Sequence, residues 1–374
     1  MAKKNDFVIL PTGPNRYMAD GVALCLGKAP LPVETATFSD GHMIRRIVDT
    51  VRRKPVYLVQ TYIAGKPYEM LAELGQMLNA AEHASAARKV VVMTKAIGDR
   101  QDRINQAGEP IEVQVVAQTL EANGMDGLVV LRPHFAQYAS VVRRPVLMLS
   151  ALPLFAYHLH HQVENHDELC FVAADGGAEK ETRLFMEIMG STHYATVLQG
   201  RDVTDKSVEG KTVSGVSGAE HIKDRHCVFI EDIVESGRTA ANAARAVMDA
   251  GAKSVVLYAP HLGLSGKAAE YLNNSPLNAV IGLDTVYQEP EFLAQFRNVK
   301  IISCVPMLAD VIKRDRFGES TRLFACLDRA TLKTEPQRMF DLVEKVYREA
   351  QKLKYDSGSQ NHQLLQERVD NLFR

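Results

Sequence analysis

The chain has 374 residues and a formal net charge of −1, from 44 basic and 45 acidic side chains. That balance leaves no basic stripe for nucleic acid and no acidic tail for a charged partner. No run approaches the ~20 apolar residues of a membrane span, which excludes a membrane-spanning helix.

Five cysteines, Cys25, Cys170, Cys227, Cys304 and Cys326, show no paired spacing. They read as small buried apolar groups in a reducing, cytoplasmic setting, not as a disulfide framework or a zinc site. The length suits two domains of about 150 residues each, with some chain left over. The first six residues lead straight into a strand pattern at 7–10 and lack the apolar core of a signal peptide. From there, short β-branched runs at 56–60, 90–94, 127–131, 170–173, 194–198, 226–230, 254–259, 279–283 and 299–303 predict strands. Amphipathic stretches at 69–84, 111–123, 180–189 and 240–250 predict intervening helices. The alternation argues for an α/β fold with largely parallel sheets. A division near 150 gives domains at 1–150 and 151–324. Residues 325–374 read as a helical extension, with helices at 336–353 and 362–373. Leu364, Leu365, Val369, Leu372 and Phe373 fall near helical spacing, enough for one docking face.

Several inter-element segments carry chemistry. Thr37 to His42 reads as a turn that sets the aromatic face of Phe38 beside the acceptor Asp40. In 98–103, Arg100 and Arg103 flank Gln101 and Asp102. A solvated loop is the plain reading, and a clamp on phosphates is the sharper one, suited to the planar guanidinium fork. His134 and Gln137 follow a strand; a single histidine there is more often a hydrogen-bond partner than a ligand. Asp175-Gly176-Gly177 follows the strand at 170–173, where an acid at the strand end and two glycines let backbone N–H groups converge on a diphosphate. The loop at 199–218, rich in Gly and Ser, reads as mobile and bears Arg201, Lys206 and Lys211.

The most informative stretch is 228–240. An apolar strand ends in Glu231-Asp232, and two apolar residues precede Glu235-Ser236-Gly237-Arg238-Thr239 and an alanine-rich helix start. A helix N-terminus offers unpaired N–H groups and the positive end of its dipole to an anion, and Ser236 and Thr239 add hydroxyls. The pattern resembles the ribose-phosphate loop of type I phosphoribosyltransferases and of their relatives, the ribose-phosphate diphosphokinases (phosphoribosyl pyrophosphate synthetases). Across residues 7 to 324 the chain is similar to the latter family, in order, at the segments 37–42, 98–103, 134–137, 175–177 and 228–240. Pro14-Asn15-Arg16 looks like its opening loop, and His261, Leu264-Ser265-Gly266 and Gly318-Glu319-Ser320 also fall on similar runs.

The resemblance implies two tandem type I phosphoribosyltransferase-like domains and a magnesium-dependent transfer of the β,γ-diphosphate of ATP to the C1 hydroxyl of a ribose 5-phosphate unit, releasing AMP. Phe38 and Asp40 would hold adenine, with Arg100, Gln101 and Arg103 on the nucleotide. His134 and Asp175 would hold Mg2+, and Asp175-Gly176-Gly177 the diphosphate. Glu231, Asp232, Glu235, Ser236, Gly237, Arg238 and Thr239 would hold the ribose phosphate. It also implies a homo-oligomer, dimer or hexamer, sharing active sites. The chain departs from the family in three places. His42 stands where Glu is usual. Leu198 to Asp202 lacks the family's catalytic lysine, leaving Arg201, Lys206 and Lys211 as candidate catalytic cations. Arg238 replaces a small residue. These departures, with the added C-terminal segment, admit a larger acceptor such as ADP-ribose, as in a phage-type NAD-rebuilding pathway operating in the host cytoplasm. They also admit an inactive regulatory paralogue.

Overall fold

The structure is a computed structural model that describes residues 7–13, 15–134, 138–201, 211–325 and 329–374. Strands Val8–Thr12, Pro55–Gln60, Arg88–Met93, Gly127–Leu131 and Val146–Leu149 lie side by side in chain order as a parallel five-stranded sheet. Gly127–Leu131 is buried at every residue, as expected of a strand covered on both faces. A second, eight-stranded sheet runs Lys211–Ser217, Tyr194–Arg201, Leu169–Ala173, His226–Ile230, Ser254–Leu262, Ala279–Leu283, Val299–Ile302, with Ile233–Val234 paired beside the end of Ser254–Leu262. Among the described strands of this sheet, Lys211–Ser217 alone forms an antiparallel ladder. The two parallel sheets with helices between their strands are the α/β architecture expected from the sequence.

Within the segment expected to be a mobile loop at 199–218, the described residues 199–201 and 211–217 belong to a β-ribbon, with Arg201 opposite Lys211 in register, and 202–210 lie outside the described residues. Alternation hidden among glycines and serines pairs at the sheet edge. The side chains of Arg201 and Lys211, all of Lys206, and Pro14, Gln137 and Cys326 lie outside what the structure describes. Three helices carried little sequence signal: Tyr17–Cys25, Leu152–Gln162 and Val305–Phe317. Residues 152–159 are all buried, so no polar stripe marks a helical period. No helix among the described residues is long and apolar enough to cross a membrane.

The carboxyl ends of the two sheets face each other across a polar seam. Val286–Tyr287 pairs with Tyr62–Ile63 as a short parallel bridge between them. Thr94 Oγ1 donates to the carbonyl of Thr285 at 2.6 Å. The Tyr17 hydroxyl donates to Asp284 Oδ2 at 2.7 Å, and the Cys304 N–H donates to Asp284 Oδ1 at 2.7 Å. Asp284 is only 1% exposed.

The C-terminal helices close this seam. Helix Pro336–Gln351 packs on Leu152–Gln162 and Val305–Phe317, and Gln360–Asp370 packs on Tyr17–Cys25. Ser359 caps helix Gln360–Asp370, its side chain accepting the His362 N–H. Leu365, Val369 and Leu372 are buried in the main core, with Leu364 and Phe373 packed against it, so the expected docking face docks. The same helix drives Arg368 into the seam, 2% exposed, with its guanidinium 5.1 Å from the centroid of the Tyr17 ring.

Removing one member of a buried polar and charged set leaves the others desolvated, at a cost on the order of 3 kcal/mol. Arg368→Ala should lower stability by about that much in urea unfolding. Combined with Tyr17→Phe, it should cost less than the sum of the single losses, because both act on the same group. Additive losses would show that Arg368 is not coupled to the Tyr17–Asp284 pair.

Candidate functional site

The loops leaving the carboxyl ends of both sheets meet around a cavity of about 400 Å³. Every residue from Glu231 to Ala240 lines it, with Arg100 and His134 from the first sheet and Asp175, Asn242 and Ser265 from the second. In open α/β sheets the carboxyl ends are where ligands bind, since helix N-termini and strand-end loops converge there.

Local pairing shapes the phosphate loop. Ile233 and Val234 add to the sheet opposite His261 and Leu262, so the chain leaves the strand edge without wandering. The Gly263 N–H donates to the Val234 carbonyl at 2.9 Å and the Ser265 N–H to the Glu235 carbonyl at 3.1 Å. Gly237 then turns the chain with φ of +73°, and a Cβ there would lie 2.6 Å from Leu272 Cδ2. Both facts demand glycine at this position. Helix Arg238–Asp249 starts immediately, seated on the sheet by Ala240, Ala241, Ala243, Ala244 and Val247. Its first turn presents N–H groups with no intrahelical partner, beside Ser236 and Thr239.

The acidic pair is tied across the seam. The His134 ring contacts Asp232 Oδ2 through Nδ1 in a very short hydrogen bond. Burial alone would raise the Asp232 carboxyl, but the hydrogen bond and charge of His134, with Arg132 nearby, hold it below its ordinary value. The same hydrogen bond raises the His134 imidazole above its usual value, against burial, which would lower it. Glu235 is held from both sides, with Arg100 Nη1 3.4 Å from Oε1 and Ser265 Oγ donating to Oε2 at 3.3 Å. Asp175 Oδ1 accepts the N–H groups of Gly177 and Ala178 at 2.8 and 3.2 Å, which fixes the turn that opens helix Glu179–Ile188.

Beneath His134 lies an ion pair that the sequence did not announce. Lys95 Nζ sits 3.4 Å from Asp99 Oδ1 and 4.9 Å from the centroid of the Tyr62 ring, while Asp99 Oδ2 accepts the His134 N–H at 3.4 Å. Both side chains are nearly buried. Their one advance signal is charge at i and i+4 directly after a strand, a spacing too common to single out. His261 is also structural here. It is 2% exposed, bonded to Thr285 and to the Arg132 carbonyl, and burial together with the Lys95 charge pushes it down to about 4.

Not every expected residue reaches the cavity. Arg103 lies off its lining and forks onto its own neighbour Asp102, at 3.0 and 3.2 Å. Gln101 is likewise outside the lining residues, so Arg100 alone represents that run. Phe38 and Asp40 form the tip between strands Val33–Thr37 and Met43–Ile47, a hairpin standing off the first sheet with Phe38 57% exposed. Asp40 there is bonded to the N–H and ring of His42. Gly176 and Gly177 follow Asp175 without lining the cavity themselves. Among the described residues no three His, Cys, Asp or Glu side chains converge as a closed metal cage. His134, Asp175, Glu231 and Asp232 instead share one open cavity. Such an oxygen-rich, incomplete set fits a hard cation that keeps waters and takes its remaining ligands from a phosphate.

Comparison with known proteins gives a consistent picture. Residues 7–124 match the family model for the N-terminal domain of ribose phosphate pyrophosphokinase, and residues 195–325 that for the phosphoribosyl synthetase-associated domain. The chain is 32% identical over 302 residues to the ribose-phosphate pyrophosphokinase of Clostridium perfringens, covering 80% of this chain and 90% of that one. It is 30% identical over 317 residues to that of Bifidobacterium longum, covering 83% and 90%. The crystal structure of phosphoribosylpyrophosphate synthetase from Mycobacterium smegmatis superimposes with a TM-score of 0.74 at 23% identity, over 84% of this chain and 100% of that one.

The His134–Asp232 contact has a titration signature in the metal-free protein. The His134 ring should titrate above 6.5 in a nuclear magnetic resonance pH series, and Asp232→Asn should bring it down. The signs for stability follow. His134 contributes fully below 6.5 and loses its contribution as pH rises through its raised value. Asp232 contributes above 3.8 and loses its contribution as pH falls through its lowered value. An unchanged His134 titration in the Asn variant would mean that the two rest side by side without coupling.

Proposed function

The chain belongs to the ribose-phosphate pyrophosphokinase family, and from that premise we propose that it transfers the β,γ-diphosphate of ATP to the anomeric hydroxyl of a ribose 5-phosphate unit. The C1 oxygen forms a bond to the β-phosphorus, the bond from that phosphorus to the α-phosphate oxygen breaks, AMP leaves and the hydroxyl proton is lost. One observation carries this reading: the phosphate loop of the second sheet and the His134 and Arg100 loops of the first line a single cavity, so acceptor and nucleotide can meet.

In this reading the helix N-terminus at Arg238, with Ser236 and Thr239, receives the 5′-phosphate. Glu231 and Asp232 face the ribose hydroxyls, directly or through water, and His134 fixes the orientation of Asp232. His134 and Asp175 would hold magnesium, which neutralises and aligns the phosphates when bound. Arg100 and Arg238 bring positive charge to the cavity wall where negative charge develops. Lys95 positions His134 through Asp99. Arg201, Lys206 and Lys211 remain the proposed cations that replace the family's lysine. The proposed domains are 1–150, 151–324 and the helical extension 325–374.

Arg238 on the wall also favours a second acceptor, one with additional phosphates such as ADP-ribose. Incubation with ATP, magnesium and either ribose 5-phosphate or ADP-ribose should release AMP with at least one of them. His134→Ala and Asp175→Ala should each reduce release by at least 10²-fold without unfolding the chain. Absence of AMP release with every ribose acceptor would support the regulatory-paralogue reading instead.

We also propose that the protein is a homo-oligomer in which the Phe38–Asp40 tip serves adenine held in a neighbouring subunit's cavity. The tip projects with Phe38 and Ile44 exposed, and it does not line its own cavity. Mixing Phe38→Ala chains with His134→Ala chains should therefore restore part of the activity that each lacks alone, because some sites then combine an intact tip with an intact cavity. No recovery on mixing would place the tip and the cavity in the same subunit.

A further inference from the structure

Arg132 follows strand Gly127–Leu131 in a backbone conformation that few side chains accept. Its φ is +40°, and the next residue is Pro133. A left-handed φ is uncommon for a residue with a Cβ, and a following proline favours extended backbone, so the position is strained on both counts. Such strain persists where the surroundings over-determine it, and it gathers at functional sites. Three contacts hold Arg132 in place. Its N–H donates to the Leu149 carbonyl at 2.8 Å, and its own carbonyl accepts from His261 Nε2 at 3.0 Å. Its side chain crosses to the other half of the molecule, where Nε lies 3.6 Å from Glu181 Oε1 on helix Glu179–Ile188. The two side chains are only 21% and 12% exposed, so water screens the pair in part.

The residues that this pair joins give it a purpose. Arg132 stands two places before His134, and Glu181 six places after Asp175. The stretch from Asp175 to Glu181 is firm, because Asp175 Oδ1 holds the Gly177 and Ala178 N–H groups and the helix begins at Glu179. On the other side, Pro133 is buried with its φ fixed by the ring, which leaves His134 little freedom relative to Arg132. A path from His134 through Arg132 and Glu181 to Asp175 therefore runs from one half to the other. Neither Arg132 nor Glu181 lines the cavity that His134 and Asp175 share.

We propose that Arg132 and Glu181 are positioning residues that set the gap between His134 and Asp175, so that one divalent cation is held from both halves at once. This rests on the reading that His134 and Asp175 share a metal ion. The left-handed turn aims the His134 loop, and the ion pair keeps the Asp175 loop at the separation the cation needs. Without the pair each loop retains its local hydrogen bonds, but a tie between them is lost.

The probe is Mn2+ alone, titrated into the full chain without nucleotide and followed by electron paramagnetic resonance of the free ion. The unaltered protein should bind it saturably, and His134→Ala should lose that binding, which places the ion in the cleft. Arg132→Gly suits the left-handed backbone and removes the ion pair, and it should weaken Mn2+ about tenfold, as the loss of an outer-shell partner does. Deleting a cation near the site would by charge alone tighten Mn2+, so a weakening reports lost geometry. Glu181→Gln should weaken Mn2+ to a similar extent, and the double variant no further than either, because both remove one contact. In AMP release these variants should lower kcat at least tenfold while KM for ribose 5-phosphate stays within twofold, since the phosphate loop is untouched. Mn2+ affinity unchanged or tighter in Arg132→Gly overturns the proposal, as do additive losses in the double variant. It is equally overturned by an unaltered protein that takes up no Mn2+ at millimolar concentration, or by binding that His134→Ala retains. Should Arg132→Gly fail to fold, the exchanged pair Arg132→Glu with Glu181→Arg decides: affinity within threefold of the unaltered protein upholds the bridge, and a tenfold loss overturns it. Absence of AMP release beside the expected Mn2+ pattern overturns the assigned reaction and leaves the positioning role standing.

Discussion

The carboxyl group of Asp284 is the point on which the two halves of the molecule are hung. It sits at the end of a strand of the second sheet and accepts the Tyr17 hydroxyl, from a helix that packs beside the first sheet, at 2.7 Å. Its other oxygen accepts the Cys304 N–H at the start of helix Val305–Phe317, and Arg368 approaches from the C-terminal helix across the Tyr17 ring. Buried polar groups of this kind contribute little net stability compared with an apolar core, yet they tolerate only one arrangement. The apolar faces of two sheets could slide against one another. A carboxyl group with two donors at fixed angles cannot. The relative placement of His134 and Asp232, one from each side, inherits that fixity.

The placement explains why the cleft is polar on both walls. Each half contributes strand-end loops, and strand ends are where backbone groups are left unpaired. The seam satisfies them in pairs across the gap: Thr94 with the Thr285 carbonyl, His261 with the Arg132 carbonyl, Arg100 with Glu235. A buried histidine at 261 bonded on both nitrogens and an exposed-edge histidine at 134 bonded to one carboxylate therefore have different work, although both follow strands. The first is a spacer between halves, and the second is a group that a ligand can reach.

Much of this was legible in the chain. Parallel strands covered on both faces read as unbroken β-branched runs, and Gly127–Leu131 and His226–Ile230 announce themselves so. The 231–239 loop was legible because each residue type has a local reason to be there, Gly237 above all. What stayed hidden was non-local. The helix Leu152–Gln162 is buried along most of its length and shows no period. Lys95 and Asp99 acquire meaning only when Tyr62 and His134 are brought beside them. The strand at 194–198 was legible, but its continuation at 199–201 and its partner at 211–217 read as loop because glycines and serines mask an edge pairing, with a register shift between Leu198 and Gln199. The turn at Phe38 was legible as a turn, but a sequence does not say that it will stand 57% exposed on a two-stranded arm.

The Tyr17–Asp284 hydrogen bond joins residues 267 positions apart, and Arg368 reaches the same point from still further along. Contacts of such separation form late, since long-range closure is rewarded only after local structure exists, and on the ribosome the earlier segments fold first. Each sheet can assemble from its own contiguous stretch, but the buried seam between them gains a C-terminal charge from the helix that carries Arg368. During synthesis, then, the Tyr17–Asp284 pair is left without that neighbour until translation has run past Arg368 and the last helix docks.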